Sequence, residues 1–213
     1  MIKQIVLIGA GGSAAQRVMR AALVRTLPGM ERYLYNDLID EVRRDHLPSA
    51  GLQLAGIEEL WFADPLAARS AQAVLLSMSS PAIRAQLLTV DEHLIFERSM
   101  DGGAALKRIS LLRRRAGMTP ESFCQYWRSV HAPLAECHRF VNRYVQNHVL
   151  HQVASHPAAD NDAVAAVDGV AEFQITDLVR MQEDYASPEG QRMKADVARF
   201  ADAVTTYLVR PVS

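Results

Sequence analysis

The chain has 213 residues, 49% of them apolar, and its 23 Lys+Arg against 24 Asp+Glu leave a net charge of −1. That length supports one large domain or two small ones. The near-neutral balance argues against a nucleic-acid or anionic-membrane partner, either of which calls for a basic excess. The one basic run, Arg113-Arg114-Arg115, reads as a solvated strand end. Two cysteines, Cys124 and Cys137, make no disulfide framework and fit a reducing cytosol. No stretch reaches the ~18 apolar residues of a membrane span. The opening apolar run, Ile5–Ile8, is too short for a secretory h-region, so a cytoplasmic location is expected.

Ile2–Ile8 reads as the first strand. Gly9-x-Gly11-x-x-Ala14 follows and opens a helix from about Ser13 to Leu27, the setting of a dinucleotide fingerprint, with Glu31 or Asp37 as its acid. The plainer reading is a Gly-rich strand-to-helix connection. Arg32–Ile39 and Ile57–Phe62 are the next strands, a helix is expected near Pro81–Leu88, and His93–Arg98 is a fourth strand. Ser99–Ala104 is turn-rich and reads as a linker. Leu106–Leu112 begins a second series. Thr119-Pro120-Glu121 then starts a helix with an N-cap, a proline at the first helical position and an acid in the first turn. Pro133 should end it near Ala132. Arg143–Leu150 is a strand, 153–168 a loop, and Val170–Ile175 another strand. Ser187-Pro188-Glu189 repeats the helix-start signal, and Met193, Val197 and Phe200 give one buried face. Thr205–Val212 closes as a strand.

The two series match each other. RYLYNDLI at 32–39 recurs as RYVQNHVL at 143–150, GIEELWFAD at 56–64 as GVAEFQITD at 169–177, Ser80-Pro81 as Ser187-Pro188, and IFER at 95–98 as YLVR at 207–210. Four collinear blocks at near-constant separation indicate an internal duplication. Each copy has the β-α-β-β-α-β order of a ferredoxin-like unit, so the fold class is α+β. Such a sheet leaves one apolar face bare. The two sheets are therefore expected to face each other as a barrel-like sandwich, with room for a small ligand between them. The expected domains are 1–99 and 105–213.

The second copy carries LLRRRAGMTPESFCQYWRSVHAPLA, then RYVQNHV, DGVAEF and SPEGQRMKADVARFAD, and in these it resembles the EthD family. The signature is Phe-x-x-Tyr-Trp-x-x-x-His-x-Pro, here Phe123, Tyr126, Trp127, His131 and Pro133. The resemblance covers about residues 106–213. It implies an intramolecular version of the dimeric α+β barrel, in which two ferredoxin-like units pair across their sheets, and it leaves a homodimer open. The family takes its name from a gene of ethyl tert-butyl ether degradation and includes polyketide-tailoring enzymes reported as decarboxylases or dehydratases. The first copy, SAAQRVMRAALVRTL, lacks the Tyr-Trp pair and the His-x-Pro, so any chemistry is implied in the second half alone.

At about 100° per residue, Phe123, Trp127, Val130 and Leu134 share a stripe, with Tyr126 and His131 on its opposite edges. His131 lies in the last expected turn, where the helix dipole favours imidazolium and burial opposes it. It suits general acid/base work beside an apolar pocket, or alternatively hydrogen-bonds a carbonyl freed by Pro133. Tyr126 and Trp127 read as packing, although a buried Tyr126 hydroxyl needs a partner. On the second strand, Tyr144, Gln146 and His148 share one face, and Val145, Asn147 and Val149 the other. The Val-rich set is expected against the helices, leaving Tyr144, Gln146 and His148 for the cavity with Tyr33, Tyr35 and Asp37 of the first copy. Glu59 and Glu172 are matched carboxylates in apolar strands, either edge-strand charges or acids of raised pKa. The candidate catalytic residues are thus His131, Tyr126 and His148. The candidate pocket is Trp127, Tyr144, Gln146, Asn147, Tyr33, Tyr35 and Glu172.

No metal is expected, because His131, His138, His148, His151 and His156 show no tetrahedral or facial spacing, and His46 and His93 have no partner. No cofactor is expected either. The leading expectation is an EthD-like protein that binds and transforms a small hydrophobic oxygenated molecule by cofactor-independent acid/base chemistry, of lyase, dehydratase or isomerase type, in catabolism or polyketide-like tailoring. The alternatives are a non-catalytic ligand-binding or accessory barrel and an NAD(P)-dependent oxidoreductase using the Gly9–Gly12 loop.

Overall fold

A computed structural model of the chain describes residues 1–11, 14–42, 47–49, 53–79, 84–99, 106–155 and 166–212. The first half runs β1 (Ile2–Gly9), α1 (Ala14–Val24), β2 (Met30–Glu41), β3 (Leu54–Phe62), α2 (Pro65–Ser77) and β4 (Ala85–Glu97). The second runs β5 (Leu106–Arg114), α3 (Pro120–Tyr126), a π-helical turn (Trp127–His131), α4 (Ala132–Leu134) and a 3₁₀ turn (Ala135–Cys137). It continues with β6 (Val141–Ala154), β7 (Gly169–Ile175), α5 (Leu178–Ala186), α6 (Pro188–Asp196), a 3₁₀ turn (Val197–Arg199) and β8 (Ala201–Val212). The strands close into one barrel in the order β1-β3-β2-β8-β5-β7-β6-β4. Every pairing is antiparallel, and the halves meet along β2–β8 and β4–β6. Gly9 and Gly11 therefore do not sit in the parallel, doubly wound sheet that a dinucleotide fingerprint requires, and Gly12 and Ser13 lie outside the described residues.

One expected helix is displaced. Residues 85–88 belong to β4, and 80–83 lie outside the described residues. The helix is α2, announced by Asp64-Pro65: the Asp64 carboxylate accepts from the backbone N–H of Leu66 and Ala67 at 2.8 and 2.9 Å. Asp177 caps the unexpected α5 in the same way. Both caps are the closing residues of the matched GIEELWFAD and GVAEFQITD blocks, so the signal was present.

The barrel interior is filled, which corrects the expectation of a ligand space between the sheets. An eight-stranded barrel is just narrow enough for side chains to fill. Ile5, Leu7, Ile57, Leu88, Ile109, Leu111, Val170 and Tyr207 pack there. Beside them lies a buried charge lattice. Lys3 Nζ is 2.6 Å from Glu172, 2.9 Å from Glu59 and 2.7 Å from Glu92, and Lys107 Nζ is 2.6 Å from Glu59 and 2.9 Å from Glu172. Asn36 donates to Glu59 at 2.8 Å and Asn147 to Glu172 at 2.7 Å. Glu59 and Glu172 are thus not edge-strand charges, and Glu172 is not an acid of raised pKa. Burial pushes Glu172 up, but Lys107 and Lys3 outweigh it and hold the carboxyl well below its ordinary range. Among the described residues no helix is long and apolar enough to cross a membrane.

Removing one member strands the others without counter-charge. Glu172→Leu should cost about 3–5 kcal/mol of unfolding free energy by urea titration; a loss below about 1 kcal/mol would mean the lattice is not holding the barrel. The pH dependence has two edges. Glu172 is more acidic folded than unfolded, so its contribution is present above about 4.5 and is lost as pH falls through the depressed folded value. Lys3 is more basic folded, because its three glutamates overcome burial, so its contribution holds below about 10.5 and is lost as pH rises through the raised value. Between those limits neither group contributes a slope to the thermal midpoint.

Candidate functional site

With the lattice inside the barrel, strand alternation sends the other face of each strand to the helices. Tyr144, Gln146 and His148 point to the helix layer, and Val145 and Asn147 point inward. This reverses the sequence expectation, because Asn147 is drawn to Glu172. Asn147 and Glu172 are therefore barrel-core residues, apart from the pocket. Tyr33 and Tyr35 lie under the helices of the first half, where Tyr33 donates to Glu58 at 3.3 Å and Tyr35 to the Ala55 carbonyl at 3.3 Å. They are not brought to the second-half residues. Asp37 is exposed.

The signature helix does not end at Pro133. It runs on to Cys137 through the π-helical turn, in which the Ala132 N–H bonds the Trp127 carbonyl five residues back. The extra residue in that turn changes the buried face. Phe123, Trp127, His131 and Ala135, four apart, are all buried, whereas Val130 and Leu134 are 46% and 36% exposed. His131 thus moves from the edge of the stripe onto its face, well before the helix end, and the expected C-terminal dipole does not act there.

Trp127 is the pivot of this layer. Its six-membered ring packs against Gly169, where a Cβ would come within 2.4 Å of the indole. The matched Gly56 is pressed in the same way by Tyr35. The indole N–H donates to the Tyr144 hydroxyl at 3.1 Å, and Gln146 donates to that hydroxyl at 2.8 Å and to the Trp127 carbonyl at 3.1 Å. The Tyr144 oxygen accepts twice, which leaves its own O–H free to donate. His148 Nε2 meets Gln146 Oε1 at 3.2 Å, and its ring stacks on Trp127 and lies against His93. Burial, with a further push from His93, lowers His148 to about 4, so it is neutral at physiological pH.

His131 Nδ1 lies 3.0 Å from Asp196 Oδ2, and the Tyr126 hydroxyl donates to Asp196 Oδ1 at 2.8 Å. Burial pushes Asp196 up, but the hydrogen bonds from His131 and Tyr126 prevail and keep it ionised. An ionised carboxylate only accepts, so Nδ1 carries the proton and Nε2 is the basic nitrogen. His131 Nε2 has no hydrogen-bond partner among the described residues.

His131, Trp127 and Tyr144 line a cavity of about 40 Å³ between the sheet and α3–α6, with Arg108, Ala171, Phe173, Tyr185 and Met193 among its other walls. That space suits two or three waters, so a ligand must displace side chains to enter. Every lining residue falls between 106 and 212. In the first half the matching position to Ala171 is Glu58, which holds Arg20 in a buried bidentate pair at 2.9–3.2 Å, with Tyr33 bonded to it. That side is plugged. A larger groove of about 310 Å³ beside Cys124, His151 and Asp168 contains none of the expected site residues. No cluster of His, Cys, Asp and Glu suited to a metal occurs among the described residues.

Sequence reasoning missed Asp196 and Arg108. Asp196 was legible as an acid three residues after Met193 on an otherwise apolar face. Arg108 stands next to Lys107 in an apolar strand, which places one buried cation on each face of the sheet.

Residues 115–203 match the EthD domain. Among solved structures the chain resembles an anthrone oxidase-like protein (TM-score 0.58, 9% identity, covering 100% of this chain and 93% of that one). It also resembles a mutant chlorite dismutase from Candidatus Nitrospira defluvii (TM-score 0.55, 10% identity, 100% and 90% covered). At such identities the likeness shows the α+β barrel fold alone. Among curated proteins none matches the sequence.

Two outcomes test this geometry. Gly169→Ala should drive the indole of Trp127 off Tyr144, cost about 1–3 kcal/mol by overpacking, and shift tryptophan emission; an unchanged spectrum would contradict the contact. His148 is less basic folded than unfolded, so the unfolded chain takes up a proton first as pH falls. Stability should decline between pH 6.5 and about 4, and less so in His148→Gln. Imidazole chemical shifts should give the His148 midpoint directly.

Proposed function

We propose that the second half is a cofactor-independent acid/base site for a small, hydrophobic, oxygenated molecule, with isomerase-type proton transfer as its basic step. The observation that carries this reading is the Asp196–His131 pair: His131, whose Nε2 has no hydrogen-bond partner among the described residues, lines a cavity that Tyr144 also lines. In the proposed step, His131 Nε2 takes a proton from a carbon adjacent to a carbonyl or conjugated with one. The C–H electron pair moves to form the enolate, and Tyr144 donates a hydrogen bond to the oxygen as charge gathers there. Return of the proton to oxygen or to another carbon completes the isomerisation. Tyr126 positions His131 through Asp196. Gln146 and His148 position Trp127 and Tyr144. Dehydratase and lyase outcomes share this first step and differ in the leaving group.

The site follows from a reading of residues 1–99 and 105–213 as two copies of one ferredoxin-like unit. Support comes from the paired caps Asp64 and Asp177, the paired glycines Gly56 and Gly169, and the paired Asn–Glu contacts at Asn36–Glu59 and Asn147–Glu172. On this reading the first copy keeps the barrel strands and has its own cavity closed by Arg20–Glu58. The NAD(P) alternative has lost its support with the parallel sheet.

The name of one structural neighbour suggests a probe. Anthrone carries an acidic methylene conjugated with a carbonyl, and its hydrogen exchange in D₂O can be followed by NMR. Wild type should accelerate exchange, and His131→Ala should lose ~10²-fold or more of that acceleration, with Asp196→Asn between the two. Equal rates in wild type and His131→Ala would reject the mechanism. Saturable binding with no acceleration would favour the non-catalytic barrel.

A further inference from the structure

Arg108 is the one charged side chain of the cavity wall for which no carboxylate is provided. It is 8% exposed, its guanidinium lies 4.6 Å over the Tyr185 ring, and its Nε has no hydrogen-bond partner. Among the described residues no acid forms an ion pair with it. The buried carboxylates of this layer, Asp184 and Asp196, are committed elsewhere. Asp184 is held by the Arg139 backbone N–H and guanidinium at 2.7–3.0 Å, and Asp196 by His131 and Tyr126. The nearby His138 offers no charge: burial and then the Arg108 cation itself lower it to about 4.

A buried, unpaired guanidinium is costly, and a folded chain ordinarily supplies a partner. The first half shows what a supplied partner looks like. Its buried cation, Arg20, is gripped bidentately by Glu58. The position matching Glu58 in the second half is Ala171, which lines the cavity and carries no charge. The residue matching Arg108, one beyond the lattice lysine, is the neutral Gln4, bonded to the Ala68 carbonyl. The second half thus has the cation and lacks the acid, and the vacancy coincides with the cavity. The remaining walls are aromatic and apolar: Trp127, Tyr144, Phe173, Tyr185, Met193 and Val204.

We propose that Arg108 is a specificity-determining residue that pairs with the carboxylate of a hydrophobic, aromatic carboxylate ligand in the second-half cavity. The planar fork of guanidinium matches a carboxylate bidentately. The aromatic walls take the ring, and His131 and Tyr144 then face the remainder of the molecule. This rests on the functional reading of that cavity, but it makes a separate claim about charge.

The test compares 2-naphthoate with its neutral isostere 2-naphthamide at neutral pH, by calorimetry and by quenching of tryptophan emission. Wild type should prefer the carboxylate ~10–100-fold, the range of a buried hydrogen bond to a charged group. Arg108→Met should abolish the preference, and Arg108→Lys should keep part of it. With the unpaired cation removed, the urea midpoint of Arg108→Met should be unchanged or higher; a clear fall would mark a structural arginine and overturn the proposal. Equal binding of the two probes by wild type would overturn the charge assignment while leaving the cavity intact. Absence of saturable binding by either would overturn both this proposal and the reading of the cavity as a ligand site. Failure of the His131 mechanism is read separately, from exchange at anthrone.

Discussion

The lattice of Lys3, Glu59, Lys107 and Glu172 at the centre of the barrel is the constraint on which the rest depends. Each lysine reaches glutamates of both halves, so the contacts cross between β1 and β7 and between β5 and β3. Buried charges tolerate no missing member, because a stranded ion pays its full desolvation cost. The halves are therefore tied to each other by complementarity as well as by the β2–β8 and β4–β6 seams. Because this lattice and its apolar surroundings occupy the interior, the proposed site lies on the opposite sheet face, beneath the helices.

That placement explains the site residue by residue. Lys107 turns inward, so Arg108 must turn outward, and Ser110 and Leu112 follow it into the cavity wall. Asn147 turns inward to Glu172, so Gln146 and His148 turn outward to Trp127. The same logic operates in the first half, where Asn36 turns inward to Glu59 and Tyr35 turns outward onto Gly56. What separates the halves is small: a glutamate at 58 that fills its side, and an alanine at 171 that leaves its side open.

The second decisive element is the π-helical turn at Trp127–His131. A regular helix would have left His131 at the margin and Val130 in the core. The wider turn reverses them and brings His131 within reach of Asp196, on a helix distant in sequence. Phe200 backs the imidazole and Tyr126 completes the carboxylate's coordination. The result is a histidine whose tautomer is set by its surroundings, which is what general-base work demands.

Much of this was legible from residue order alone. Strand alternation and the helix caps at Thr119 and Ser187 determined most element types and the α+β class, and the Phe123–Pro133 signature pointed to the second half for the proposed site. The sequence could not say which strand face meets the core, because alternation is symmetric until something chooses a side; the long-range meeting of Lys3 with Glu172 makes that choice. Nor could it reveal the π-helical turn, since helical periodicity assumes a constant rise and Pro133 reads locally as a stop. The Asp196–His131 pair, the unpaired Arg108 and the Arg20–Glu58 pair of the first half all depend on contacts between residues far apart in the chain. Only the tertiary structure decided them, because burial and charge pairing are properties of the assembled barrel.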